Sequence, residues 1–76
     1  MPEMMAVKSG MIESVGHEGE TLYVKFRNGG MYKYTPVSAI EYQEMLASDS
    51  VGGYFSQNIK KTKNYEKVGE NGESSS

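Results

Sequence analysis

Thr21-Leu22-Tyr23-Val24-Lys25-Phe26, then Arg27-Asn28-Gly29-Gly30, then Met31-Tyr32-Lys33-Tyr34, is the stretch whose reading decides the fold. Large apolar side chains alternate with polar ones, a turn-forming cluster interrupts them, and the alternation resumes. This pattern predicts a β-hairpin. Two turns compete. A two-residue Asn28-Gly29 turn sets Phe26 opposite Met31 and Val24 opposite Lys33, sending Tyr32 and Tyr34 to the face away from Leu22, Val24 and Phe26. A three-residue loop, Arg27-Asn28-Gly29 with Gly29 left-handed, pairs Val24 with Tyr32 and Leu22 with Tyr34. Only the second register gathers all five large side chains on one face. A slip of one residue turns a whole strand over, so burial selects the three-residue loop.

The neighbouring segments extend this ribbon. A first strand is expected from Gly10 to Val15. Its apolar residues Met11, Ile12 and Val15 break the period of two, which calls for a bulge at an unspecified position. Gly16 and Gly19 mark the turn into the hairpin, with His17 exposed between them. Beyond Tyr34 the period becomes helical. Ser38-Ala39-Ile40-Glu41 fits a capping box, and Val37 with Tyr42 fits a hydrophobic staple. Ala39, Tyr42, Met45 and Leu46 keep helical spacing to a stop near Ser48. A second helix is expected from Val51 to Lys60, capped by Asp49 or Ser50, with Val51, Phe55 and Ile59 on one stripe. Asn64 to Val68 reads as extended, an edge strand at most. The expected fold class is α+β: a three-stranded antiparallel β-meander with two short helices packed on one face. Residues 1–6 read as a flexible leader, 7–68 as the folded domain and 69–76 as a disordered polar tail.

Size and composition narrow the chemistry. At 76 residues the chain holds one domain with a modest core. It has no cysteine and a single histidine, His17, which excludes disulfides and any cysteine- or histidine-rich metal site. Self-association, as a homodimer, is one way for so small a core to gain buried area. No apolar run approaches the ~20 residues that span a bilayer. Met1-Pro2-Glu3-Met4-Met5 lacks the layout of a signal peptide, so a cytoplasmic location is expected. The net charge is −2, yet residues 7–68 carry seven acids and eight bases. The folded part is therefore neutral toward nucleic acid. No nucleophile–base pair, metal set or cofactor loop can be assembled, so neither enzymatic activity nor a cofactor is expected.

Ser9, Ile12, Val15-Gly16, Leu22-x-Val24-x-Phe26, Gly29, Tyr32-x-Tyr34, Tyr42, Leu46, Ser50-x-Gly52, Tyr54-Phe55 and Ile59-Lys60 occur in an order that resembles the KTSC domain. That family is named for its place at the C-terminus of some lysyl-tRNA synthetases, and it also occurs as short stand-alone bacterial and phage proteins. The resemblance covers about residues 8–68. It implies RNA binding, by association with the synthetases rather than by mechanism. Three positions depart from the pattern: His17 stands where Tyr is frequent, Ser56 where Asn is, and Lys60 where Arg is. The last matters because lysine offers phosphate a point charge and not a two-pronged fork.

Two functional classes remain. The first is a non-enzymatic module that binds RNA without sequence preference. Its surface would be the hairpin face opposite the core, with Tyr23, Lys25, Lys33 and the loop residue Arg27, supplemented by the basic run Lys60, Lys61 and Lys63. A ring stacks on a base while neighbouring cations meet phosphates. A solvated sheet face also favours lysine and tyrosine, and lysines at a helix end also suit the helix dipole. Tyr32 and Tyr34 read as core residues and not as a stacking platform. The second class is a protein–protein interaction module, a small phage or bacterial adaptor or inhibitor, favoured by an exposed apolar patch of Met4, Met5 and Met31. Asp49-Ser50-Val51-Gly52-Gly53 opens a helix, but its glycines read as points of close backbone approach and not as a phosphate cradle. Glu41 and Glu44, one helical turn apart, read as a cap and a solvated acid.

Overall fold

The computed structural model describes residues 2–70. The predicted hairpin is present in the predicted register. Strands β3 (Thr21–Phe26) and β4 (Gly30–Thr35) pair Leu22 with Tyr34, Tyr23 with Lys33, Val24 with Tyr32 and Lys25 with Met31. Gly29 takes φ +106°, and its N–H donates to the Phe26 carbonyl at 3.0 Å. A side chain at that φ is strained, whereas glycine is not. The Asn28 side-chain oxygen accepts from the Gly30 N–H at 3.0 Å, closing the loop.

The sheet has five antiparallel strands rather than three, in the order β1-β2-β3-β4-β5. Strand β2 spans Ile12–Glu18, two short residues of β1 (Met5–Ala6) pair with its outer edge, and β5 (Asn64–Glu70) pairs with β4. Two residues of β1 are too few for any alternation to be read, and β5, expected as an edge strand at most, sets Glu66 and Lys67 between Tyr65 and Val68 with no alternation of apolar bulk. Residues 5–6 and 69–70 thus belong to the sheet and not to the expected leader and tail. The expectation for residues 71–76 lies outside the described residues. The bulge falls between Ile12 and Ser14, where Glu13 is the extra residue. It re-aims the strand so that Ile12 and Val15, three apart, are both fully buried.

Helix α1 (Ala39–Ala47) begins with the predicted capping box. The Ser38 hydroxyl accepts from the Glu41 N–H at 3.1 Å, and the Glu41 carboxylate accepts from the Ser38 N–H at 2.9 Å. Helix α2 is only Val51–Tyr54, capped by Ser50, whose hydroxyl accepts from the Gly53 N–H. A π-helical turn, Phe55–Ile59, continues it, with the Lys60 N–H reaching back to the Phe55 carbonyl at 2.8 Å. This wider turn buries both Phe55 and Ile59 completely. Gly52 answers a close approach: a Cβ there would lie 3.0 Å from the Ser9 hydroxyl oxygen.

The helices cover one face of the sheet. Ile12, Val15, Leu22, Val24 and Tyr34 from the strands meet Val37, Met45, Phe55 and Ile59. Phe26 and Tyr32, expected in the core, are half-buried at the loop end of the hairpin. The turn before the hairpin also differs from expectation. β2 runs on through Gly16 and His17, and only Gly19-Glu20 turns, with Gly19 at φ +64°. His17 is therefore half-buried in a strand. Its Nε2–H donates to the Val37 carbonyl at 2.6 Å, and its ring stacks on Tyr42 at 5.0 Å. Gly16 is buried because residues 2–4 cross it; a Cβ there would meet the Met4 sulfur at 2.8 Å and the Glu3 carbonyl oxygen at 3.0 Å.

Phe55 is the ring on which this packing converges, edge-on to Tyr34 at 5.0 Å and to Phe26 at 5.7 Å. Truncating a buried phenylalanine costs about 3–5 kcal/mol, a large part of the total for so small a domain. Phe55→Ala is expected to abolish the cooperative thermal transition followed by circular dichroism. Tyr32→Ala should lower the midpoint and keep the transition; equal melts for the two variants would contradict the assigned core.

Candidate nucleic-acid interface

Strand pairing puts Gly16, Tyr23, Lys33 and Glu66 side by side in one row across the face that the helices leave uncovered. The next row on the same face holds Ser14, Lys25 and Met31. Alternation dictates this: Leu22, Val24 and Tyr34 point to the helices, so Tyr23, Lys25 and Lys33 point away. All three are half-exposed. An aromatic ring thus lies directly across from one lysine and beside a second.

The electrostatics of this face are weaker than the sequence implied. The Lys33 ammonium lies 3.8 Å from the carboxylate of Glu66, whose side chain is well exposed. Such a pair contributes little to stability, but it offsets the charge of Lys33. Lys25 has no ion pair among the described residues. Residues 2–4 border the same face where they cross Gly16.

The remaining members of the expected surface are elsewhere. Arg27 is exposed at the hairpin end, and its Nε–H donates to the Ser9 carbonyl at 2.7 Å, tying the loop to the segment before β2. Lys60 and Lys61 are exposed beyond the π-helical turn, on the helix side of the sheet. Lys63 is engaged: its ammonium lies 3.0 Å from the second oxygen of Glu41, with only 17% of the side chain exposed. Glu41 therefore joins the α1 cap to the chain leaving the second helix. The seven residues do not form one patch; Tyr23, Lys25 and Lys33 do.

The other acids also have partners. Glu44 accepts from the Tyr54 hydroxyl at 2.9 Å, linking α1 to α2, so Glu41 and Glu44 do not act as a pair. Among the described residues no three His, Asp or Glu side chains converge to hold a metal ion. No helix of the described residues is long and apolar enough to cross a membrane. Nor do the three methionines form a single patch. Met4 packs on Gly16, whereas Met5, paired with Val15, borders a groove of about 400 Å³ together with Val7, Leu46 and Val51.

One feature on the helix side goes beyond the basic run of Lys60 to Lys63, with Tyr65 and Lys67 after it, that the sequence offers as an extension of a binding surface. Phe26, Tyr32, Tyr34 and Tyr65 line an open groove of about 470 Å³ together with Met11, Asn28 and Lys60. The Tyr65 ring stands 6.0 Å from both Tyr32 and Tyr34 and is 67% exposed. The signal was available in the alternation of β5: if Tyr65 pairs with Tyr34, it must share that residue's face.

Hydrogen bonding first to the Ser38 backbone, and then to Lys63, holds the Glu41 carboxyl below its ordinary value of 4.5. A carboxyl depressed in the folded state contributes stability that is present above its unfolded pKa and is lost as pH falls through the folded one. Glu41→Gln should therefore be less stable than the native chain at neutral pH. The gap should close as pH drops below about 4.5 in denaturant titrations across that range. A gap that stays constant would show that Glu41 acts without its charge.

The sequence can now be set beside known proteins. The family model of the KTSC domain matches residues 8–65. An uncharacterized protein of Stutzerimonas stutzeri (strain A1501) is 34% identical over 58 residues, covering 74% of this chain and 82% of the relative. The crystal structure of a KTSC domain protein from Yersinia pestis superposes with a TM-score of 0.84 at 28% identity, covering 91% of this chain and all of that one.

Proposed function

The chain belongs to the KTSC domain family, and we propose that it is a non-enzymatic module that binds single-stranded RNA on the helix-free face of its sheet. One observation carries the reading. Tyr23 lies opposite Lys33, with Lys25 two residues along the same strand on the same face, and no helix covers them. A ring on an open sheet stacks on any base, because every base has a π-face, and flanking cations follow the phosphates. No side chain there supplies a fixed hydrogen-bonding pattern for a base edge, so binding is independent of sequence. Two lysines, one of them opposed by Glu66, make it weak. The expected surface contracts to Tyr23, Lys25 and Lys33, with Arg27 at its end. Lys60, Lys61 and Lys63 fall outside it. Such a role belongs in the cytoplasm.

A protein partner is the second reading, favoured by the groove between β1 and the helices. Met5, Val7, Leu46 and Val51 bring apolar surface together there, and Met5 is 46% exposed.

Fluorescence anisotropy with labelled oligouridine and with tRNA, at two salt concentrations, tests the first reading. Each phosphate neutralised on a single strand adds about −0.7 to the slope of log K against log salt, so two lysines predict roughly −1.4. Lys25→Ala/Lys33→Ala should remove binding. Glu66→Gln should strengthen it, because it takes away the charge that opposes Lys33. Absence of saturable binding at low salt would refute the RNA reading and favour the protein one.

A further inference from the structure

The groove on the helix side differs from the sheet face in being concave, and its lining combines an exposed ring, a cation, a hydroxyl and an amide. Tyr65 offers a ring that is 67% exposed, braced at 6.0 Å by Tyr32 and Tyr34. Lys60 is the single charged side chain lining it, is exposed, and has no ion pair among the described residues. Tyr34 is only 4% exposed, yet its hydroxyl has no hydrogen-bond partner among the described residues. A buried hydroxyl without a partner is uncommon and calls for one. Asn28 adds a directed donor: its side-chain oxygen is taken by the Gly30 N–H, which leaves the amide nitrogen for something else.

From this lining we propose that the groove is a mononucleotide site. The base stacks on the exposed Tyr65 ring, which Tyr32 braces from the side, its polar edge meets the Tyr34 hydroxyl and the Asn28 amide, and the phosphate is held by Lys60. The volume of about 470 Å³ falls in the range of small-molecule sites. The lone cation selects an anionic ligand. The Tyr34 hydroxyl then distinguishes a base from a hydrocarbon ring. A phenyl ring on a carboxylate-bearing ligand would fill the same space and satisfy Lys60, but its ring edge offers that hydroxyl no hydrogen-bonding atom, as a base edge does. Burial, with the adjacent Tyr32 and Tyr65 phenols, raises the Tyr34 pKa above its ordinary value, so the group is a neutral phenol that both donates and accepts.

The site lies on the opposite side of the sheet from Tyr23 and stands apart from the sheet-face reading. The test is a titration of the full chain with adenosine and uridine 5′-monophosphates, followed by amide NMR shifts. Uridine, inorganic phosphate and N-acetylphenylalaninate serve as comparison ligands. Saturable shifts at Asn28, Tyr65 and Lys60 are expected with the nucleotides. Tyr65→Ala, at an exposed position, should weaken both by about tenfold, as loss of one stacking ring does. Lys60→Gln should weaken the nucleotides and spare uridine. Tyr34→Phe keeps the ring and the fold, and should weaken nucleotides relative to N-acetylphenylalaninate. Failure of either nucleotide to saturate, or binding of N-acetylphenylalaninate as tight as theirs, would overturn the proposal. Lys25→Ala/Lys33→Ala separates the two sites, since losing RNA on the sheet face should leave the nucleotide titration unchanged.

Discussion

The structure depends on the parity of one turn. With three residues between Phe26 and Gly30, Leu22, Val24 and Phe26 share a face with Tyr32 and Tyr34. With two, the tyrosines would leave the core, and the helices would have half a surface to pack against. The positive φ of Gly29 is what makes the longer loop possible without strain. Every later feature inherits that choice. The helices cover the face with the rings, and the lysines of the alternate positions are left to solvent. Tyr65 of β5 joins the tyrosines because it pairs with Tyr34. One backbone conformation thus sorts greasy from charged side chains across the hairpin.

Much of this was legible because the relevant signals are local. The hairpin register follows from five side chains and one glycine. The α1 cap follows from Ser38 and Glu41, three residues apart, and each meets the other's backbone amide as the spacing requires. The parts that were not legible depend on distant partners. Gly16 resembles a turn glycine in sequence, and only the return of Met4 and Glu3 across it reveals a point of close approach. His17, between two apparent breakers, resembles an exposed loop residue. Its role comes from Val37 and Tyr42, twenty and twenty-five positions away in numbering, which arrive only when α1 docks. Strand β1 has no pattern of its own and exists because β2 offers an edge. The π-helical turn is invisible too: Phe55 and Ile59 have ordinary helical spacing, which a regular helix would satisfy equally.

The candidate surface was less legible than the fold. Sequence places Lys60, Lys61 and Lys63 together, but proximity along the chain does not bring them to the hairpin lysines in space. The sheet separates them. Lys63 is drawn to Glu41 because the end of the second helix lands beside the start of α1, a tertiary accident that no local pattern encodes. The resemblance to a family did not help here. The residues that carry it are mostly those now seen in the core, the turns and the caps, such as Val15, Leu22, Phe55, Gly29 and Ser50. A likeness resting on such positions speaks for a shared architecture and is silent on ligands.

Tyr32 and Tyr34 show why a ring-rich ribbon can serve packing and recognition together. They are neighbours on one face, yet Tyr34 is enclosed by Phe55 while Tyr32 lies where the helices end. The second helix is short, and its π-helical turn brings Lys60 out beside the rings rather than over them. A longer regular helix would have covered the end of the ribbon and completed the core. The sheet is therefore longer than its lid. The uncovered end must expose either apolar bulk, at a cost of roughly 25 cal/mol per Å² left in water, or rings with polar tips that tolerate water. Phenolic side chains meet that constraint, because each has a packing face and a hydrogen-bonding end. A small core of this kind leaves its last layer of aromatic side chains available for contact as a consequence of its size.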